Sequence, residues 1–169
     1  MTPLPYKDFT IKARIFNGEK VEETLLSLKA EFIGTDIQTD HYFEIEKGKL
    51  KWREAVIENL ITHYERFHDS GIERTIVYRY DLNPTEQQIK ELSQNRKLIG
   101  VIQKQRKIYQ WHNVKIHLDK LPNEEEFIEI EAIDRDDRYS VDELKNHCVE
   151  VKAMLNIQES DLMKTGYLK

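Results

Sequence analysis

Hydrophobic and polar residues alternate along much of this chain, and a period of two residues predicts β-strands. Residues 7–15 alternate strictly, with Thr10, Lys12 and Arg14 sharing the polar face. Further segments of this kind are predicted over residues 37–45, 50–53, 60–66, 75–80, 98–106, 107–111, 114–118 and 127–133. Glu46-Lys47-Gly48-Lys49, between the segments 37–45 and 50–53, is typical of a hairpin turn.

Helical spacing of apolar residues appears in three places. After Asn17-Gly18, Val21 begins a helical repeat that we expect to continue to Phe32. Asn83 suits the N-cap of a short second helix, with Pro84 at its first position. Ser140 is expected to cap a third helix, with Glu143 three residues later as in a capping box, and residues 158–164 are expected to add a further turn. Many alternating strands with few helices predict one α+β domain over residues 1–169, built on a curved antiparallel sheet or barrel.

The composition and the net charge argue against several kinds of binding partner and site. A net charge of −5 argues against a general nucleic-acid-binding protein, whose electrostatic signature is a basic excess. The lone cysteine, Cys148, excludes an intramolecular disulfide and a cysteine-based zinc site. No apolar run approaches the ~20 residues that span a bilayer, and the N-terminal residues lack the regions of a signal peptide. We therefore expect a cytoplasmic protein with no membrane or nucleic-acid partner.

Charged residues recur two apart on the polar faces of five predicted strands, so the members of each set lie side by side on one surface. Four sets are pairs of like charge: Lys12 with Arg14, Lys51 with Arg53, Lys104 with Arg106, and Glu129 with Glu131. The fifth combines Lys115 and His117 with Asp119. Any one pair is also typical of a solvated strand face. Five together favour an interior anion site, in which arginine and lysine would bind polyphosphate and the carboxylates would bind Mg²⁺.

Several strings in the same segments resemble the CYTH family. Asp40-His41-Tyr42-Phe43 and Gly48-Lys49-Leu50-Lys51-Trp52-Arg53-Glu54 are similar to the family pattern D-x-Y-F followed by G-x-L-K-x-R-E. The remaining matches are His63-Tyr64-Glu65-Arg66, Val101-Ile102-Gln103-Lys104-Gln105-Arg106, Val114-Lys115-Ile116-His117-Leu118-Asp119 and Phe127-Ile128-Glu129-Ile130-Glu131. Each string alone is weakly specific, but their order and spacing extend the resemblance across nearly the whole chain.

The resemblance implies a closed or nearly closed barrel of eight antiparallel strands, a triphosphate tunnel, with flanking helices. It also implies a small-molecule triphosphate substrate and Mg²⁺ or Mn²⁺ as cofactor. The implied phosphate-binding residues are Lys12, Arg14, Lys51, Arg53, Lys104, Arg106 and Lys115. The implied catalytic residues are Glu65 and Asp119, and the implied metal ligands are Glu129, Glu131 and Asp119. By the same resemblance, Tyr167 is expected to cover one end of the tunnel.

The first strand departs from the family signature E-x-E-x-K. The corresponding residues are Asp8-Phe9-Thr10-Ile11-Lys12, so the lysine is kept while threonine replaces the nearer glutamate. The Thr10 hydroxyl can bind a metal but brings no negative charge to it. The substitution therefore argues against binding of a second metal ion, or against activation of the nucleophile, at this position.

Three functions are therefore left open by the sequence. The leading interpretation is a metal-dependent hydrolase of an inorganic, thiamine or nucleoside triphosphate. The alternatives are an adenylate cyclase of class IV, which would make cyclic AMP from ATP, and a catalytically weakened module that binds triphosphate or polyphosphate. The oligomeric state is also open, with a homodimer as one alternative. A transition-metal site at His63, Glu65 and His68 is disfavoured, because His68 is expected in a turn.

Overall fold

The computed structural model describes residues 4, 6–164, 166 and 167. Within these residues the chain forms eight strands and three α-helices. The strands are β1 (Lys7–Ile15), β2 (Glu31–Phe43), β3 (Lys49–Glu54), β4 (Leu60–Asp69), β5 (Ile72–Leu82), β6 (Leu98–Trp111), β7 (Val114–Lys120) and β8 (Glu126–Asp134). The helices are α1 (Gly18–Ser27), α2 (Glu86–Asn95) and α3 (Val141–Met154), followed by a 3₁₀ turn at Glu159–Asp161.

The strands form one antiparallel sheet that closes on itself in the order β1-β5-β4-β3-β2-β6-β7-β8. β1 completes the ring, because it pairs with β8 along its whole length and with β5 at Phe9↔Arg74 and Thr10↔Glu73. Across the part of the chain described here, the predicted eight-stranded antiparallel barrel with flanking helices is confirmed. Closure also removes the free sheet edges that an open sheet would expose.

The main hydrophobic core lies outside the barrel, between its wall and the helices. On β1 and β8, Ile11, Ile128 and Ile130 face outward and pack with Leu144 and Cys148 of α3, and all five are buried. A smaller cluster, in which Leu92 of α2 is buried with Phe43, Leu50 and Ile61, covers the outer side of β2, β3 and β4. Since neighbouring side chains on a strand point to opposite faces, the polar residues between these apolar ones point into the barrel.

Several predicted element boundaries were wrong, and three of them bear on how the elements form. The first helix ends at Ser27, because Lys29 adopts a left-handed conformation (φ 61°), and Phe32 therefore lies on β2. Asn83 is also left-handed (φ 51°), so the N-cap of α2 is Thr85, which forms a capping box with Gln88. The segments predicted at 98–106 and 107–111 are one continuous strand, β6.

The third helix begins as predicted, since the Ser140 side chain accepts a hydrogen bond from the backbone N–H of Glu143. The turn predicted within residues 158–164 is present as the 3₁₀ turn. Among the described residues, no helix has both the length and the apolar character needed to cross a membrane.

Candidate functional site

The barrel contains a cavity of about 510 Å³ whose lining is dominated by charged side chains. Every strand except β2 contributes a charged residue to this lining, and Asp40 of β2 lies directly behind it. Six of the basic residues predicted from the sequence line the cavity: Lys12, Lys51, Arg53, Lys104, Arg106 and Lys115. The alternation of the strands therefore brings together residues that lie up to a hundred positions apart in the chain.

Two arginines in the cavity are each held by a buried carboxylate on the neighbouring strand. Arg53 donates from Nε and Nη2 to the two oxygens of Asp40, at 2.8 and 3.0 Å. Arg106 donates in the same way to Asp119, at 2.7 and 2.8 Å. Each pair sits directly opposite in the strand register. These bidentate contacts orient both guanidinium groups and leave Nη1 of each to face other groups of the cavity.

Asp40 is also the partner of two buried lysines. Its Oδ2 lies 2.6 Å from Nζ of Lys104 and 3.3 Å from Nζ of Lys51. Burial alone would raise the pKa of Asp40, but Arg53, Lys51 and Lys104 hold it well below its usual range. Burial and the nearby Arg53 lower the pKa of Lys51 to about 7. One carboxylate thus serves three cations, and a bound anion would favour the charged form of the lysines.

Lys12 of β1 contacts Tyr167 in the cavity lining. Lys12 Nζ lies 3.2 Å from Oε1 of Glu129 and 3.3 Å from the centre of the Tyr167 ring. The Tyr167 hydroxyl donates to Asp119 at 2.7 Å. Burial lowers the pKa of Lys12 although Glu129 opposes this shift. Tyr167 therefore forms part of the cavity lining, and its predicted role as a cover for one tunnel end stays a prediction.

The acidic side of the cavity is built around Asp8 and Glu131. Burial, together with the adjacent carboxylate of Glu131, raises the pKa of Asp8 well above its usual value. The hydroxyl of Thr10 donates to Asp8 at 3.3 Å. Asp8 and Glu131 line the cavity, whereas Thr10 is buried behind them. Asp8, two residues earlier on the same face, is thus the carboxylate that the first strand contributes to the cavity lining.

This donor set fits a divalent cation that arrives with a phosphate. In the described residues there is no group of three His, Cys, Asp or Glu side chains arranged to hold a metal ion. Mg²⁺ usually keeps several waters and binds one or two carboxylates together with substrate phosphates, so the pair of Asp8 and Glu131 is sufficient. Burial and Glu131 raise the pKa of Asp8 although Arg66 opposes this shift, and a bound cation would favour the charged form of the carboxylate.

Three carboxylates predicted for the site have contacts that bear on their roles. Glu65 contributes to the lining, but its carboxylate accepts a hydrogen bond from Tyr78 and pairs with Lys47 at 3.2 Å. Asp119 lies behind the lining, with both oxygens engaged by Arg106 and Tyr167. Glu129 lines the cavity and is paired with Lys12.

Arg14 lies beyond the cavity lining, where it pairs with Glu125. His68 lies on β4, which continues to Asp69, so it is not in a turn as expected.

Arg66 and Glu58 are among the charged cavity residues that sequence reasoning missed. Arg66 points inward because Lys51 pairs with Thr62, which puts Thr62, Tyr64 and Arg66 on the inner face of β4. The inward direction of Arg66 could have been predicted from the pairing of β3 with β4. Glu58 lies between β3 and β4, and no periodic pattern marks a loop residue.

The class of protein is defined by the closed antiparallel barrel and the charged cavity inside it. The CYTH domain profile matches residues 10–167, and the chain belongs to this family. The structure of the PH1012 protein from Pyrococcus horikoshii OT3 is similar, with a TM-score of 0.79 and 26% identity over 95% of this chain and 96% of that one.

Two further solved structures share the fold at lower identity. A putative adenylate cyclase from Vibrio parahaemolyticus has a TM-score of 0.70 and 16% identity, covering 95% of this chain and 94% of its own. An adenylyl cyclase-like protein from Hippeastrum, described as having a dominant triphosphatase activity, has a TM-score of 0.62 and 14% identity, covering 96% and 92%. No protein in the curated set matches this sequence.

Proposed function

We propose that this protein binds a small triphosphate inside the barrel and hydrolyses it with the help of Mg²⁺ or Mn²⁺, with residues 1–169 acting as one domain. The observation that carries the proposal is the pair of arginines, Arg53 and Arg106, each oriented by a buried carboxylate so that one Nη1 is presented to the cavity. Preorganised guanidinium groups are suited to the oxygens of a phosphate chain.

The other basic residues extend this contact along the cavity. Lys12, Lys51 and Lys104 supply point charges that are already desolvated by burial, so their attraction for an anion is weakly screened. Arg66 adds a further donor, since its buried Nε has no hydrogen-bond partner in the described part of the chain. Together these groups can neutralise the phosphate charge, which is the main requirement for phosphoryl transfer.

Asp8 and Glu131 are the residues best suited to hold the metal, with Glu129 next to them. When bound, the cation would neutralise phosphate charge and assist in-line attack by water. Glu129 is ion-paired with Lys12, and in this position it can accept a hydrogen bond from an attacking water. Asp119 orients Arg106, so we assign it a positioning role rather than a place among the metal ligands. Glu65 is proposed as a residue of the cavity edge that helps to orient the substrate.

Cyclisation of ATP is a second candidate, because structurally similar proteins are described as putative adenylate cyclases. Incubation with Mg²⁺ or Mn²⁺ and inorganic triphosphate, thiamine triphosphate or ATP separates the candidates. We expect release of orthophosphate. Cyclic AMP with pyrophosphate would instead assign a cyclase, and tight binding with neither product would assign the binding module. Absence of both binding and turnover for all three compounds would contradict the proposal.

A further inference from the structure

Glu58 makes longer contacts with Arg53 and Arg106 than the two aspartates that orient these arginines. Its Oε1 lies 3.2 Å from Nη1 of Arg106 and 3.6 Å from Nη1 of Arg53. The contacts of these arginines with Asp119 and Asp40 are 2.7–3.0 Å. A separation of 3.6 Å is too long for a hydrogen bond, whereas the shorter contacts are typical of charge-assisted ones. Glu58 is therefore not needed to orient either guanidinium.

The second oxygen of Glu58 faces two more basic side chains. Oε2 lies 3.4 Å from Nζ of Lys115 and 3.4 Å from Nε2 of His117, while Oε1 also accepts a hydrogen bond from Gln38 at 2.9 Å. Groups from four basic residues thus converge on a single carboxylate. Convergence of guanidinium and ammonium groups on one anion is the arrangement that binds a phosphate group.

The loop that carries Glu58 is fixed through its backbone, independently of the contacts that the Glu58 side chain makes. Asp36 accepts hydrogen bonds from the backbone N–H groups of Val56, Ile57 and Glu58 at 3.1, 3.0 and 2.9 Å. The side chains of Val56 and Ile57 are exposed, so this loop borders solvent. Rotation about the side-chain torsions of Glu58 can move its carboxylate without breaking any of the three backbone contacts.

From this geometry we propose that Glu58 is a specificity-determining residue, an internal anion that occupies the phosphate position between Arg53 and Arg106 until a polyanion replaces it. The inference rests on the proposed function, because it names the position that one phosphate of the bound chain takes. In the free protein the carboxylate neutralises donors that would otherwise be buried without a partner. An anion of low charge gains too little from these donors to displace Glu58, whereas a triphosphate gains enough, so the residue selects for highly charged ligands.

The test is the substitution Glu58→Gln, which removes the charge and keeps the shape of the side chain. Calorimetric titration with inorganic triphosphate and Mg²⁺ should give a Kd about tenfold lower than that of the wild type. The variant should also bind orthophosphate more tightly, with a steeper dependence on salt, because the cavity gains one net positive charge. The matched control is Glu54→Gln, at the outer end of β3, where Glu54 pairs with His41 and is exposed. This control should leave both affinities unchanged.

The outcomes separate the two claims. If the wild type binds triphosphate and folded Glu58→Gln binds it equally or more weakly, the proposed function stands and the inference is overturned. If neither protein binds triphosphate, the proposed function fails and the inference fails with it. Should Glu58→Gln not fold, Glu58→Asp tests the inference instead. Its side chain keeps the negative charge but is shorter by one methylene, so the carboxylate lies farther from the arginines. That variant is expected to bind triphosphate more tightly than the wild type by a smaller factor, and equal or weaker binding would overturn the inference.

Discussion

The two faces of the barrel wall differ in what they do for the protein. On the outer face of β1, β7 and β8, apolar residues pack against α3 and form the hydrophobic core. On the inner face of the same strands, the alternate residues are charged and line a cavity. Burial of apolar surface stabilises the fold, whereas burial of charge is costly unless each group is paired. The comparison indicates that the fold is held together from outside and that its interior is kept for binding.

The largest effect is expected where a shared inner carboxylate is removed. Asp40→Ala leaves Arg53, Lys51 and Lys104 without their common partner, and breaking such a buried pair costs about 3–5 kcal/mol. Denaturant unfolding should show this loss in the free energy of unfolding. Added triphosphate should restore part of it, because the ligand supplies the missing negative charge. A loss that triphosphate does not reduce would show that the inner face is structural and not an anion site.

A comparable but slightly smaller loss is expected on the outer face. Leu144→Ala opens a void in the fully buried core beneath α3 and should lower the free energy of unfolding by about 3 kcal/mol. Under conditions where the variant is folded, its affinity for triphosphate should match that of the wild type. Leu26→Ala is the control, since Leu26 is 62% exposed on α1 and its loss should cost less than about 0.5 kcal/mol. A large change in affinity for Leu144→Ala would break the division between the two faces.

Removal of the cavity arginines should affect binding directly. Arg53→Ala and Arg106→Ala should each weaken triphosphate binding at least tenfold, about 1.4 kcal/mol, as measured by calorimetric titration. The control is Lys107→Ala, because Lys107 lies on the same strand as Arg106 but pairs outside the cavity with Glu22. Equal affinity in both arginine variants and the wild type would exclude the inner face as the phosphate site.

The smallest effect is expected at the acidic pair. The pKa of Asp8 is raised in the folded protein, so the folded state binds this proton more tightly than the unfolded state does. Wild-type stability should therefore decline relative to Asp8→Asn as pH rises above about 4, the ordinary pKa of an aspartate. Thermal unfolding at neutral pH without metal should show a higher Tm for Asp8→Asn.

The same variant tests the metal. Asp8→Asn should lose most of the Mg²⁺ dependence of triphosphate binding, because one of the two free carboxylates is gone. Thr10→Val offers a matched control, since it removes the hydroxyl that donates to Asp8 and keeps the carboxylate. If Asp8→Asn retained full Mg²⁺ dependence, the metal would have to bind elsewhere in the cavity.

Much of the fold was predictable because strand periodicity is a local property. The alternation in residues 7–15 gives the bounds of β1 and identifies Lys12 as inward-facing. Arg66 could have been placed in the same way, from its parity with Tyr64 and Thr62. The start of β2 could not, because Phe32 continues the helical spacing of α1 and only the left-handed turn at Lys29 separates the two elements.

The partnerships inside the cavity were harder to predict, since they depend on the register between strands. Nothing local to Asp119 shows that it lies opposite Arg106 and accepts hydrogen bonds from it. Glu58 was missed for a different reason. Its loop is held by Asp36, twenty-two positions away, through contacts to the backbone that carry no sequence pattern.

The central claim is that the inner face of the barrel is a triphosphate site. A crystal structure of the protein with inorganic triphosphate and Mn²⁺ tests it most directly, because the anomalous signal of manganese locates the metal independently of the phosphates. The account predicts phosphate oxygens at Nη1 of Arg53 and Arg106, manganese between Asp8 and Glu131, and the Glu58 carboxylate displaced from the arginines. Triphosphate and manganese bound outside the barrel, with the contacts of Arg53 and Arg106 unchanged, would contradict it.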